Sequence, residues 1–377
     1  MPLVLTEEQQ LLKSTAQEFI AANAPVDHIR GLRDNKDPDG FSRDLWKEVS
    51  TLGWAGLVDE ESHGGSGLGY RELGVLFEEG GRTLVPTPLL STVVLAGECV
   101  RRGASDPLRS QVLSGVASGE TLLALALEEQ PRFAPYAIET RAEADGKGFR
   151  LTGEKTFVID GHVADRLVVV ARTSGKAGDR DGLTLFLVDA LSDGLKITRT
   201  HMVDNRNAAR VKLEGVACEN VLGEVDQGAD ILDAALARAT VCLCAEMVGI
   251  MTECFERTIE YLKTREQFGV KIGTFQGLKH RAAAMFAELE LSRSIVLETL
   301  GAIDQNSPDL PTLVSVAKAR CSDAVGLITR ETLQMHGGIG MTDEADIGFF
   351  LKRARAAELS FGDSSYHRDR FAALQGY

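Results

Sequence analysis

Arg265 and Phe268 lie in Tyr261–Gln276 (YLKTREQFGVKIGTFQ), where a helical pattern breaks at Phe268-Gly269 and resumes near Phe275-Gln276. A cation beside an aromatic at such a break offers a charge and a flat face. Farther along, Gln334–Met341 (QMHGGIGM) sets an amide and an imidazole before two adjacent glycines, Gly337 and Gly338. Glycine lets backbone approach a ligand closely, and arginine donates charge-assisted bonds to phosphate. Together these types suit a flat ring system that carries phosphates. Each also has a plainer reading: Arg265 as a helix-end cation satisfying carbonyls, and His336-Gly337-Gly338 as a helix stop.

Other chemistries find little support. The seven histidines are scattered with no HExxH, so no metal site is expected. No GxSxG elbow marks a serine hydrolase. The run Gly64–Gly69 (GGSGLG) follows Asp59-Glu60-Glu61 instead of an apolar strand, and those carboxylates would repel a pyrophosphate; it reads as a tight surface turn. Six cysteines form no CxxC pair, and Cys242 and Cys244 sit in an apolar helical run as buried, inert thiols. A formal charge of −14 argues against nucleic acid or anionic membrane as partner. The chain opens Met-Pro-Leu and enters a polar helix, with no signal peptide visible. No apolar run is expected to reach the roughly 18 residues of a membrane span. A reducing cytoplasm is the expected location.

The elements that must position these residues follow from pattern. At 377 residues, 44% apolar and 25% charged, the chain has soluble globular composition and room for two or three structural units. Thr6-Glu7-Glu8-Gln9 reads as a capping box ahead of a helical face of Leu11, Leu12, Phe19 and Ile20. Further helices are predicted over Arg43–Leu52, from Tyr70 to a stop at Gly80-Gly81, and over 89–102 and 106–118. Then come short alternating or β-branched runs: Thr121–Leu127, Ile138–Ala144, Phe149–Leu151, Lys155–Ile159, Arg166–Arg172, Leu183–Val188, Lys196–His201 and Ala208–Leu213. Closely spaced strands with turn signals indicate an antiparallel domain of sandwich or barrel type. From Ala229 the pattern is helical again over 229–264, 275–305, 310–335 and 344–360, which predicts a bundle. The expected class is α+β: an N-terminal helical domain (1–120), a middle antiparallel β domain (121–223) and a C-terminal long-helix domain resembling a four-helix bundle (224–377).

The segments TREQFG…FQ, QMHGGIG and the closing FGDSSYHR (Phe361–Arg368) resemble the C-terminal signatures of the acyl-CoA dehydrogenases. LGWAGL (Leu52–Leu57), followed by Glu60-Glu61 and Gly64-Gly65, resembles that family's N-terminal region. With the α–β–α order, the resemblance covers nearly the whole chain. It implies a flavoprotein holding FAD between the β domain and the C-terminal bundle, usually as a homotetramer built from dimers. It implies that Arg265 and Phe268 reach the FAD of a neighbouring subunit, that Gln334, Gly337 and Gly338 line the adenosine-diphosphate half, and that Phe157, Ile159 and Glu128 belong to the flavin site. The implied reaction is α,β-desaturation of an acyl-CoA thioester. A carboxylate removes the α-proton, the β-hydride passes to the flavin, and an electron-transfer flavoprotein is the expected acceptor.

The chain departs from that family at its base. Counting from Gly337-Gly338, the usual glutamate falls on Phe361; Gly362 keeps the glycine and Asp363 takes the following position. The alternative base position, early in the first long C-terminal helix, holds Ala237, Arg238 and Ala239. Where a TEP-x-x-GSD loop is usual, Leu127–Ala134 (LEEQPRFA) keeps only Glu128, and Phe157-Val158-Ile159 replaces Trp-x-Thr. Phe157 can still stack, but the threonine hydroxyl is gone. Three readings stay open: Asp363 as a displaced base, against its plainer role as an N-cap; a heteromeric dehydrogenase in which a paralogous subunit supplies the carboxylate and part of the flavin site; or a self-sufficient FAD enzyme whose base is unplaced. A non-catalytic scaffold is the reading from another class.

Overall fold

The computed structural model describes residues 4–377. It resolves into two compact units: one of the N-terminal residues up to Gly31 with Tyr70–Val85 and Thr240–Tyr377, the other of Leu32–Gly69 with Pro86–Ala239.

Among the described residues everything before residue 123 is helix or loop. α1 (Glu7–Asn23) opens with the expected capping box: Thr6 Oγ1 accepts the Gln9 N–H at 3.2 Å and Gln9 Oε1 accepts the Thr6 N–H at 3.0 Å. α2 (Val26–Asp34) has no counterpart in the sequence pattern, and α3 (Arg43–Thr51) is capped by the Ser42 hydroxyl. α4 (Tyr70–Thr83) runs through Gly80-Gly81 instead of stopping there. The reason is packing: a Cβ on Gly81 would collide with the backbone carbonyl of Glu246, so glycine here permits a close helix approach. A π-helical stretch, Leu89–Ala96, leads into α5 (Gly97–Gly103), and α6 (Asp106–Ala117) follows.

The second unit contains the sheet. Its eight strands are β1 (Leu123–Ala126), β2 (Arg141–Asp145), β3 (Gly148–Ile159), β4 (Arg166–Arg172), β5 (Leu183–Asp189), β6 (Leu195–His201), β7 (Asn207–Cys218) and β8 (Val221–Leu222). They form one hydrogen-bonded sheet in the order β6-β7-β3-β2-β4-β5-β8, with β1 added beside β4. The purely antiparallel expectation fails at two pairs, since β4 runs parallel to β1 and, through Arg172 and Arg141, to the start of β2. The β2–β3 hairpin intervenes between β1 and β4 and acts as the long crossover that parallel pairing needs. β3 joins two predicted segments through register shifts at Leu151/Thr152 and Lys155/Val158. Leu151, Leu167, Val169, Phe186 and Val211 are among the residues of its closed apolar core.

The first unit is built on long helices. α7 (Ala229–Thr264), whose first eleven residues count with the second unit, is followed by the small hairpin β9 (Glu266–Gln267) and β10 (Val270–Lys271). Then come α8 (Gln276–Asp304), α9 (Leu310–His336), α10 (Ile347–Leu359) and α11 (Ser364–Leu374). By length and composition α7 is apolar enough to cross a membrane, contrary to the expectation from sequence, but 89% of its apolar window is buried inside the protein. It is therefore built as a core helix. All six cysteines are free and buried, which suits inert thiols.

Candidate functional site

In the first unit, TREQFG closes into a two-residue β-hairpin. Gln267 pairs with Val270 and Glu266 with Lys271, leaving Phe268 (φ +56°) and Gly269 (φ +78°) at the tip. Two left-handed residues at the centre define the turn that matches strand twist, and glycine suits the second place. Phenylalanine at the first is strained. The residue is 90% exposed, with its ring edge-on to Phe275 at 6.2 Å between centroids, so the hairpin presents an aromatic face outward.

Arg265 does not cap α7 with its side chain. Lys271 Nζ donates to the Thr264 carbonyl at 2.9 Å and pairs with Glu266 at 2.7 Å. The exposed Arg265 guanidinium has no side-chain partner among the described residues, while its backbone is tied to Tyr261 O and Ile272 N.

The second motif lies at the same end of this bundle. The Tyr261 ring stacks on His336 at 4.5 Å, and Thr258 Oγ1 reaches Thr332 Oγ1 at 3.1 Å, so the ends of α7 and α9 are pinned together. Burial keeps His336 below its usual pKa, and its Nδ1–H donates to Thr332 O at 2.7 Å. Beyond it Gly337 adopts φ +64°, ψ −144°, a conformation restricted to glycine. A Cβ on Gly337 or Gly338 would meet nothing within 4 Å, so their backbone faces open space, and Gln334 beside them is exposed.

The α10–α11 junction holds the sequence-predicted carboxylate. Asp363 is the N-cap of α11, its Oδ1 accepting the Tyr366 N–H at 2.9 Å. Phe361 before it is buried and left-handed (φ +59°). Lys318, fully buried, donates to Gly362 O at 2.7 Å, Glu358 O at 2.9 Å and Ser322 Oγ at 3.2 Å, and burial pulls its pKa down to about 8. His367 donates from Nε2 to Phe361 O at 2.9 Å; burial lowers its pKa to about 4, so it is neutral at pH 7. The loop is thus held from two sides, and its one carboxylate is spent on a helix end.

In the second unit, the end of β1 meets the bulge in β3. Thr156 N–H donates to Glu128 O at 2.7 Å. The register shift turns Phe157 into the left-handed region (φ +51°) and leaves it 42% exposed, between fully buried Lys155 and buried Val158. Ile159 is half-buried one position past Val158. Bulges re-aim side chains in this way. Lys155 Nζ reaches Glu129 Oε1 at 2.7 Å and Leu127 O at 3.1 Å, and burial lowers its pKa to about 8. Burial acts to raise Glu129, but Lys155 and the N–H groups of Thr140 and Glu139 more than offset it. Glu128, by contrast, has no side-chain partner among the described residues, and burial alone pushes its pKa up to about 7.

Arg238, at the alternative base position, is buried with Nε 2.9 Å from Glu98 Oε1. Glu98 also receives Arg101 at 3.0 Å and Arg102 at 2.6 Å. Burial acts to raise its pKa, yet the arginines win and hold it low.

Family models for the N-terminal, middle and C-terminal domains of acyl-CoA dehydrogenases match residues 6–120, 124–216 and 226–374. The chain belongs to the acyl-CoA dehydrogenase family. It is 29% identical to acyl-CoA dehydrogenase IpdE2 of Mycolicibacterium smegmatis, over 95% of this chain and 96% of that one. It is 28% identical to the mitochondrial isovaleryl-CoA dehydrogenase of Solanum tuberosum, over 97% and 90%. Among solved structures it matches the ChsE4-ChsE5 complex from Mycobacterium tuberculosis at TM-score 0.90 and 25% identity, covering 100% of this chain and 99% of that chain.

As an acyl-CoA dehydrogenase it is a flavoprotein oxidoreductase of acyl-CoA oxidation, with FAD as cofactor. The residues present suit that cofactor: an arginine without a side-chain partner among the described residues, outward aromatics at a strained hairpin tip and a strained strand bulge, and glycine backbone open to approach. Sequence reasoning missed the Lys155–Glu129 pair, although a signal existed. Alternation along β3 gives Lys155 the same inward parity as Leu151. It also missed the Tyr261–His336 stack and the Lys318 clamp, which depend on which helices pack together.

Proposed function

We propose that this acyl-CoA dehydrogenase works in a heteromeric assembly in which a paralogous subunit supplies the carboxylate base for α,β-desaturation. The observation that carries the proposal is the state of Asp363, whose Oδ1 is committed to the Tyr366 N–H. As the N-cap of α11 that oxygen is held at the helix end, where it satisfies a backbone N–H of the first turn. Phe361 is apolar, and Arg238 is cationic and bound to Glu98. The likeness to a structure described as the complex of ChsE4 with ChsE5 supports the two-chain reading.

In this proposal the chain's own residues bind and orient. Arg265 neutralises phosphate with charge-assisted bonds and Phe268 lies against the FAD of a neighbouring subunit. Gln334, Gly337 and Gly338 offer an amide and open backbone to the adenosine-diphosphate half. Phe157 covers the flavin ring with Ile159 beside it. Glu128, poised between its two protonation states near pH 7, donates to or accepts from the ring's polar edge. FAD, when bound, supplies the acceptor for the substrate's β-hydride. We place the domain joins near residues 120 and 223, electron-transfer flavoprotein as the electron acceptor, and the protein in the cytoplasm.

The test is the visible spectrum under anaerobic addition of a panel of acyl-CoA thioesters. The chain purified alone, and its Asp363→Asn variant, are expected to show no substrate-dependent bleaching. Co-expression with a paralogue that carries the glutamate restores bleaching. Bleaching by the isolated chain that disappears in Asp363→Asn would make Asp363 the base and overturn the proposal. A chain without flavin in either assembly would favour the scaffold.

A further inference from the structure

We infer that a cavity lined by α1, α4, α7 and α8 of the first unit binds a short-chain monocarboxylate. Its polar walls are Lys13, Arg71, Glu78 and Arg293, and its apolar wall includes Val248 and Leu297. The space open to water centres is about 60 Å³. At about 10–15 Å³ per water-sized position, that holds roughly four to six non-hydrogen atoms, the size of acetate to butyrate.

The cations around the cavity are not equally satisfied. Glu78 Oε1 is shared by Lys13 Nζ at 2.9 Å and by Arg293. Lys13 also lies 3.5 Å from Glu79, which burial pushes toward its neutral form. Arg71 has no such partner: its side chain makes no hydrogen bond or ion pair among the described residues, and its buried Nε lacks an acceptor. Its guanidinium lies so close over Gly301 that a Cβ there would strike it, so the residue beneath adds no acceptor. Asp304 acts electrostatically on Arg71 without a direct side-chain bond to it, its oxygens accepting the backbone N–H groups of Tyr70 at 2.6 Å and Arg71 at 3.1 Å. Lys13 and Arg293 are thus each held by two carboxylates, with Glu78 shared between them, and Arg71 is the lining cation left without a directly bonded one among the described residues.

A buried donor without a protein acceptor is open to a water or an anion. Arginine presents two parallel N–H groups that fit a carboxylate. The aliphatic wall selects an anion with a short hydrocarbon tail over an inorganic one. Such a ligand would join three elements of one unit and bind only the folded chain, so it raises thermal stability by mass action. Nothing in this inference depends on how FAD is held.

The experiment is thermal unfolding of the full chain in rising sodium butyrate, against acetate, octanoate, and sodium chloride and sulfate at matched ionic strength. A saturable rise in Tm is expected with butyrate, smaller with acetate and absent with octanoate. Arg71→Ala should weaken it roughly tenfold or more, with Arg71→Lys intermediate. Leu297→Phe, which fills the apolar wall and keeps Arg71, should abolish the rise without loss of flavin. Equal shifts in sulfate and butyrate, or a rise unchanged in Arg71→Ala, would overturn the assignment. Should Arg71→Ala fail to fold, a butyrate response retained in Leu297→Phe overturns it as well.

Discussion

Arg265 was visible in the sequence because a cation beside an aromatic at a helix break is an uncommon local pattern. Its availability was not, since Lys271, six residues later, takes the capping role that was the plainer reading of Arg265. Arg265→Ala is therefore expected to leave stability nearly unchanged and to lower the flavin-to-protein absorbance ratio after gel filtration. An unchanged ratio would remove Arg265 from the cofactor site. Asp363 was equally visible, but whether it caps or catalyses depends on where the Tyr366 N–H points. Asp363→Ala is expected to cost about 1 kcal/mol in chemical denaturation, as loss of an N-cap does. Nearby His367 gives a pH prediction. Its folded pKa, about 4, lies below the usual 6.5 because it is buried, so between those values only the unfolded chain takes up the proton. Lys318 and Arg370 push it the same way, while Asp363 opposes them. Stability should fall as pH drops from about 6.5 toward 4, by about 3 kcal/mol at full extent. A His367→Gln variant should show a flatter profile across that window, read from urea midpoints.

At the scale of elements, periodicity located nearly every helix and strand, and failed where backbone meets backbone. Gly80-Gly81 reads locally as a stop, yet α4 continues because Gly81 lies against the Glu246 carbonyl. Gly81→Ala should destabilise by about 1–3 kcal/mol through overpacking, measured by urea unfolding, although alanine is the better helix former. The parallel pairing of β1 with β4 was also out of reach, because strand order is set by the β2–β3 crossover and not by any one strand's composition. The hairpin tip separates fold from site in one position. Phe268 holds a left-handed conformation with 90% of its surface exposed, so it is costly to the turn and contributes little to this chain's core. Phe268→Gly is expected to keep or raise Tm while lowering flavin content. A fall in Tm with flavin intact would show that the residue serves the fold.

For the whole molecule, the succession of helical, β and helical segments and the two C-terminal motifs were enough to suggest the family from the chain alone. The compact units were less legible: α1 and α4 group with the C-terminal helices, while α2, α3, α5 and α6 group with the sheet. Helical periodicity marks which face is apolar and is silent about which distant segment covers it. Each unit also encloses one lysine with no exposed surface, Lys155 in the sheet and Lys318 among the long helices. Both ammonium groups are hydrogen-bonded within their own unit. A water-borne acylating reagent can reach either amine only when the structure around it opens. Brief pulses of such a reagent, followed by peptide mass spectrometry, should leave both lysines unlabelled under native conditions. As denaturant rises, labelling at residue 155 would time the opening of one unit and labelling at residue 318 that of the other. The molecule thus carries two internal clocks, and their agreement or divergence reads out whether it comes apart in one step or two.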